Sequence, residues 1–355
     1  MKTIVFTGGG TAGHIIPNLA IIDEINDFKI YYLGSNAMEK NLLTNYPNVE
    51  FIEIPAVKLK RSLSFKNLLI PIKLIQSINI CKKELKQIKP DIIFSKGGYV
   101  SIPVCFAARS LKIPILTHES DFSIGLANKI IAKISQNLCC SFKETAKKYG
   151  KNAIFTGSPI RKNILNGDKE STLSRYKITK NKPIILVMGG SLGAKSINNI
   201  IWDNIDKLTE KYTIFHIVGK NNINQTISKK DYYQIEFTDK IGDLFAISNL
   251  IISRAGSNTI FELLFLQKNM ILIPLPKSSG SRGDQEVNAE YFQKKGFAEK
   301  IDQKDLTYDN LAIKIEQTLK NRSEYTNNMK NANNIIGTTN IINLINKTIN
   351  TNPIK

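Results

Sequence analysis

The sequence predicts an α/β chain made of two Rossmann-like domains, each a parallel sheet covered by helices on both faces. Three observations predict it. Short β-branched runs alternate with longer stretches of helical period, the pattern of successive βαβ units. The alternation comes in two series, and each opens with an apolar strand running straight into glycines, Gly8-Gly9-Gly10 in the first and Gly189-Gly190 in the second. A length of 355 residues also suits two domains of ordinary size.

In order along the chain, Lys2–Thr7 reads as a strand, 14–26 as a helix and 29–33 as a strand. Strand signals recur at 91–95, 113–117 and Asn137–Cys140, with helix-compatible stretches between them. The second series begins at 183–188 and continues at 213–218, Leu250–Ser253 and 270–274. The turn-rich stretch Gly157-Ser158-Pro159-Ile160-Arg161 and the polar segment after it mark the boundary. The expected domains are therefore 1–160 and 161–334. Periodicity leaves open whether the tail at 335–355 packs back on the first domain.

Composition narrows the classes. Hydrophobic residues make up 42% of the chain, enough for ordinary globular cores. The apolar run at the N-terminus meets glycines too soon for a signal-peptide core. Nowhere do 18 apolar residues follow one another, so no membrane-spanning helix is expected. Four cysteines lack CxxC spacing and read as buried apolar side chains. With three histidines a zinc site is not expected. The formal net charge of +19 fits nucleic acid, an anionic membrane or a polyanionic substrate. Aromatic-basic interleaving and recognition modules are missing, so nucleic acid is not an expected partner.

Glycines between a strand and a helix let backbone N–H groups approach an anion, aided by the helix dipole. Both glycine runs fit, although tight turns need glycine in any case and neither run has the Walker Lys-Ser/Thr. Ser191 in the second run reads as a phosphate contact, a helix N-cap, or both. Glu262, near the start of another helix, can accept both hydroxyls of a ribose; alternatively it is a dipole-stabilised acid or a partner for Arg254. The loops at Arg254–Asn258 and Ser281–Glu286 also follow strands, and ligands of open α/β sheets bind at strand carboxyl ends. The same rule places His14, His118, Glu119 and Asp121 around one cleft.

The segment 58–89 carries nine basic residues and one acid, Glu84. At helical period it has two apolar stripes. Ile70, Leu74, Ile78, Cys81, Leu85 and Ile88 form one; Phe65, Leu68, Leu69, Ile72 and Ile80 form the other. One stripe should face the core. The other, flanked by Lys66 and Lys73, suits an anionic membrane surface; a helix buried on both sides or a dimer contact are the alternatives.

Gly8–His14, Gly97-Gly98-Tyr99-Val100-Ser101, His118-Glu119-Ser120-Asp121, Gly157–Arg161, Gly189–Ala194, Arg254–Glu262 and Gly283-Asp284-Gln285 occur in that order over roughly residues 1–300. As a set they resemble the MurG family of bacterial cell-wall glycosyltransferases. The resemblance implies a GT-B fold, with two Rossmann-like domains facing across a cleft. It implies an inverting, metal-independent transfer of N-acetylglucosamine from UDP-N-acetylglucosamine to undecaprenyl-pyrophosphoryl-N-acetylmuramoyl-pentapeptide, with no cofactor. It implies a peripheral protein on the cytoplasmic face of the cell membrane, with 1–160 serving acceptor and membrane and 161–334 serving the donor. By motif position, Thr11, Ala12 and Gly13 would approach the sugar and help shape the acceptor site, and Arg161 and Ser191 would meet the donor pyrophosphate. Glu262 would hold the ribose, with Asn258 in a supporting turn. Gln285 would contact the sugar hydroxyls, and Thr238 falls where the family's backbone meets uracil. Many members carry His-Glu-Gln-Asn where this chain has His118-Glu119-Ser120-Asp121. An Asp cannot donate as an amide does, so Asp121 is a secondary candidate.

The chemistry needs a general base for the acceptor hydroxyl, and His14 is the candidate, with an acceptor-phosphate contact or a helix-start hydrogen bond as its alternatives. The nearest competing function is a GT-B enzyme acting on another lipid such as diacylglycerol. The N-terminal motifs favour the cell-wall acceptor over it.

Overall fold

A computed structural model describes residues 1–35, 37–56, 70–179, 181–190, 192–279, 281–332 and 337–351. The chain forms two compact units: Met1–Arg161 with Asn334–Lys355, and Lys162–Asn333.

The first unit holds seven parallel strands, β1 (Lys2–Thr7), β2 (Phe28–Gly34), β3 (Val49–Glu53), β4 (Ile92–Ser95), β5 (Ile115–Glu119), β6 (Asn137–Cys140) and β7 (Ala153–Phe155). Their spatial order is β3-β2-β1-β4-β5-β6-β7. The helices between them are α1 (Ala12–Ile22), α2 (Ala37–Leu43), α3 (Ile70–Ile88), α4 (Ser101–Ser110), α5 (Leu126–Ile131) and α6 (Lys143–Tyr149). Strand alternation gives the sheet two apolar faces. Ile4, Phe6, Tyr32 and Phe94 pack with Ile15 and Leu19 of α1 on one face; Val5, Leu33 and Ile93 pack with Cys81 and Leu85 of α3 and Val104 of α4 on the other. The C-terminal helix closes the first face, with Ile341, Ile345 and Ile349 buried in that core. Each such side chain contributes roughly 1.5–3 kcal/mol of burial.

The second unit holds six parallel strands, β8 (Ile184–Met188), β9 (Thr213–Ile217), β10 (Tyr232–Ile235), β11 (Leu250–Ser253), β12 (Met270–Leu272) and β13 (Glu299–Lys300), in the order β10-β9-β8-β11-β12-β13. Its helices are α7 (Lys169–Arg175), α8 (Lys195–Asp203), α9 (Ile205–Lys211), α10 (Ile241–Ile247), α11 (Ser257–Phe265), α12 (Asp284–Lys294), α13 (Tyr308–Lys320) and α14 (Arg322–Asn331); α15 (Gly337–Thr351) is the helix that closes the first unit. In both sheets the order reverses beside the first strand, at β1/β4 and β8/β11. Such switch points are where doubly wound sheets take ligands.

Four strands that the sequence does not announce, β3, β7, β10 and β13, are the four sheet edges. An edge strand is covered less completely than a central one, so it needs no continuous apolar run. The fifth strand starts at Ile115 rather than 113, because Pro114 has no N–H to give the ladder. On α3 the first apolar stripe does face the protein: Cys81 and Leu85 are buried and Ile70, Leu74, Ile78 and Ile88 half-buried. Of the second stripe, Ile72 and Ile80 are exposed, and Ile75 joins them. Phe65, Leu68 and Leu69 lie outside the described residues, as does Lys66. Among the described residues no helix is long and apolar enough to cross a membrane.

Candidate active site

In the first unit, β1 ends in the glycine loop and α1 begins at Ala12. Gly10 adopts φ +85°, and a Cβ there would stand 2.5 Å from the Tyr99 ring, so the position takes only glycine. Thr11 is extended at the helix N-cap. Its hydroxyl lies 3.0 Å from Nδ1 of His14, and its carbonyl accepts from the His14 N–H at 3.0 Å. Thr11 and Gly13 are exposed, and Ala12 and His14 are half-buried. The histidine is thus held through Nδ1 at the carboxyl edge of the sheet. If Nδ1–H donates to Thr11, the imidazole's lone pair is on Nε2.

Beside this loop, β4 and β5 end in a buried polar network. Lys96, 2% exposed, donates to Ser120 Oγ at 2.6 Å. The Glu119 carboxyl accepts from the N–H of Asp121, the N–H of Gly125 and the Asn128 amide, at 2.9–3.0 Å. Burial, with Asp121 adding to it, pushes the Glu119 pKa up, while Lys96 acts in the opposite direction. His118 does not belong to a cleft. It is fully buried, its Nε2 lies 3.2 Å from the Gly157 carbonyl, and burial together with Lys96 holds its pKa well below the usual imidazole value. It is a core histidine. Asp121 is half-buried next to the network. Arg161 ends the first segment of this unit, half-buried, with its charge lowering the pKa of the Tyr46 phenol against the stronger upward effect of burial.

In the second unit, the loop after β8 is fitted to the loop after β9. Gly193 adopts φ +76°, and a Cβ on it would overlap the Val218 carbonyl. That carbonyl accepts from Asn198 Nδ2 at 2.9 Å, while Asn198 Oδ1 and the Tyr232 hydroxyl flank the two nitrogens of buried His216 at 3.1 and 3.0 Å. Burial lowers the His216 pKa to about 3, so the ring is neutral. Ser191 lies outside the described residues.

Arg254, at the end of β11, is a clamp. Its guanidinium donates to the carbonyls of Ile273 and Pro274, each at 3.1 Å, to Ser196 Oγ at 3.0 Å and to Gln303 Oε1 at 2.7 Å. It therefore ties the starts of α8 and α11 to the loop after β12. Asn258 is half-buried in the first turn of α11, and Glu262, one turn further, is 4% exposed. Gln285, in the first turn of α12, accepts from the Leu275 N–H at 2.9 Å and is half-buried. Asn288 ties the same helix back to the Ala255 carbonyl at 3.3 Å. Thr238 Oγ1 accepts from the Lys240 N–H at 3.0 Å. It borders a hollow of about 180 Å³ with Phe237, a residue 68% exposed.

Sequence reasoning overlooked Lys96, Asn128 and Phe237. Lys96 directly precedes Gly97-Gly98, and an exposed Phe beside Thr238 offers a stacking face. Both signals were available in the sequence, but neither carries a fixed spacing.

Two parallel sheets, each with glycine loops at its switch point, are a GT-B-type arrangement, and comparison with known proteins makes the class a glycosyltransferase. The model of the glycosyltransferase family 28 N-terminal domain matches residues 4–139, and that of the C-terminal domain matches 184–345. The chain belongs to glycosyltransferase family 28. Within it, the chain is 42% identical over 98% of its length, and 99% of the relative's, to a Clostridium botulinum protein named UDP-N-acetylglucosamine--N-acetylmuramyl-(pentapeptide) pyrophosphoryl-undecaprenol N-acetylglucosamine transferase. A Clostridium perfringens protein of the same name is 41% identical over 97% of the chain and 98% of that relative. The crystal structure of Acinetobacter baumannii MurG superposes with a TM-score of 0.78 at 24% identity, covering 98% of this chain and all of that one.

Proposed function

We infer that this chain is the MurG-type transferase that moves N-acetylglucosamine from UDP-N-acetylglucosamine to the 4-hydroxyl of N-acetylmuramic acid in undecaprenyl-pyrophosphoryl-N-acetylmuramoyl-pentapeptide, converting lipid I to lipid II in peptidoglycan synthesis. The observation that carries it is the end-to-end match to transferases of that name. A diacylglycerol acceptor is not favoured.

In the reaction, the acceptor oxygen forms a bond to the anomeric carbon as the bond to the β-phosphate oxygen breaks. UDP leaves with the electron pair, and the configuration inverts. The residue assignments are our reading of the site. His14 takes the acceptor proton on Nε2, with Nδ1 oriented by Thr11. Ala12 and Gly13 border the acceptor sugar on the same turn. In the donor unit, Glu262 receives the ribose hydroxyls and Asn258 supports the turn before it. Gln285 has its carbonyl engaged by Leu275, which leaves its amide group directed to the sugar hydroxyls. The Thr238 backbone meets uracil and the Phe237 ring stacks on it. Arg161, Ser191 and the glycine loop at Gly189–Gly193 balance the charge that grows on UDP. Asp121 is kept as a secondary sugar contact.

We place the protein peripherally on the cytoplasmic face of an anionic membrane. The supporting feature is the exposed apolar row Ile72, Ile75 and Ile80 on α3 among Lys73, Lys83 and Lys86.

Transfer of labelled N-acetylglucosamine to lipid-linked muramoyl-pentapeptide, with EDTA present, tests the function. Transfer by the wild type and its loss in Glu262→Ala is the expected result. Donor binding without transfer to this acceptor would overturn the acceptor assignment.

A further inference from the structure

The first glycine loop has a carboxyl group of its own beneath it. Glu39, on α2, is fully buried, and its Oε1 accepts from the Gly10 N–H at 3.1 Å. A Cβ built on Gly9 would overlap that same oxygen, so the carboxyl lies directly against the loop. The other sides of the loop are also fixed. The Tyr32 hydroxyl donates to the Gly8 carbonyl at 2.6 Å, and the Tyr99 ring covers Gly10. A strand–glycine–helix turn with a free amide is a receptor for phosphate. Here a side chain of the protein already occupies the amide of Gly10, so that donor is taken before a second anion can reach it.

We propose that Glu39 is a positioning residue for the transfer. It fills the anion seat of the first glycine loop from within and so fixes the backbone that presents Thr11 and His14. The loop then serves the acceptor sugar and not its pyrophosphate. This rests on the reading of Thr11 and His14 as facing the acceptor.

The test compares the full chain with Glu39→Ala and Glu39→Gln, using labelled transfer with and without added formate and equilibrium binding of UDP-N-acetylglucosamine as a check of folding. Displacing the loop by a fraction of an ångström to an ångström should lower kcat of Glu39→Ala by roughly 100-fold, with donor KM within about 3-fold. Formate, a carboxylate small enough for the emptied seat, should restore the alanine variant by about tenfold or more and leave the wild type unchanged. Glu39→Gln keeps an accepting oxygen and should stay within about fivefold of wild type. A Glu39→Ala protein with undiminished kcat and a lower acceptor KM would mean that the loop is a phosphate cradle and Glu39 an obstruction, overturning the proposal. A loss that neither formate nor Gln relieves would overturn it as well. Wild-type turnover in His14→Ala would remove the base assignment alone, since the formate response does not depend on it.

Discussion

Replacing Arg254 by Met would separate a clamp from a nucleotide contact. The guanidinium has four acceptors, but they do not count equally. Ser196 Oγ donates to Gln303 Oε1 at 2.9 Å, so those two groups keep each other when the arginine goes. The carbonyls of Ile273 and Pro274, on buried residues, lose the donor that serves them. At about 1–3 kcal/mol for each buried group left without a partner, the second unit should lose about 2–6 kcal/mol. With a urea slope of about 2 kcal/mol per molar, the unfolding midpoint should fall by about 1–3 M. The chain's single tryptophan, Trp202, lies in α8 and reports this unit by fluorescence. Arg254→Lys, which keeps the charge with fewer directed donors, should fall between. A midpoint within about 0.3 M of wild type together with lost UDP-N-acetylglucosamine binding would refute the clamp and make Arg254 a ligand contact.

Thr11→Val removes the hydroxyl at His14 Nδ1, and at about 0.5–1.5 kcal/mol for a neutral hydrogen bond kcat should drop about 2- to 13-fold. His14→Ala should drop it about 10²- to 10⁴-fold, with donor KM unchanged in both; equal losses in the two variants would contradict an orienting role for Thr11. Burial lowers the His216 pKa from 6.5 to about 3, so the unfolded chain binds the extra proton between those values. The contribution is complete above pH 6.5 and is lost as pH falls towards 3, at up to about 1.4 kcal/mol per pH unit; the Trp202 urea midpoint should follow, and a His216→Gln variant should show a flatter acid limb. Ile72→Asp with Ile75→Asp should weaken sedimentation with anionic vesicles at least about fivefold while transfer to a detergent-dispersed acceptor persists, and unchanged sedimentation would remove α3 from the membrane contact.

The central strands and the glycine loops were legible because they announce themselves locally, by apolar runs and by residues that only a tight turn requires. The sheet edges were not, since β13 is Glu299-Lys300 and owes its assignment to its neighbour β12 rather than to its own composition. His118 shows the same limit at the site. It reads as a cleft residue from its motif, yet it is buried because β5 turns it towards the Gly157 carbonyl, 39 residues away in sequence. Glu39 sits in an ordinary stretch of helix, and its meaning depends on a contact with Gly10 that no spacing rule encodes.

The place of α15 has a consequence for how the protein is made. The helix that seals one face of the first sheet is encoded after the whole of the second unit, with Ile341, Ile345 and Ile349 as its plug and Thr338 joined to the Ile160 backbone N–H at 3.0 Å. On the ribosome the second unit emerges whole while the first still lacks its seal, so the unit begun first is finished last. Until α15 follows, Ile15, Leu19 and Leu116 stand beside an open apolar slot. A nascent chain in that state is a client for a chaperone, and a truncation before Gly337 would leave it one permanently.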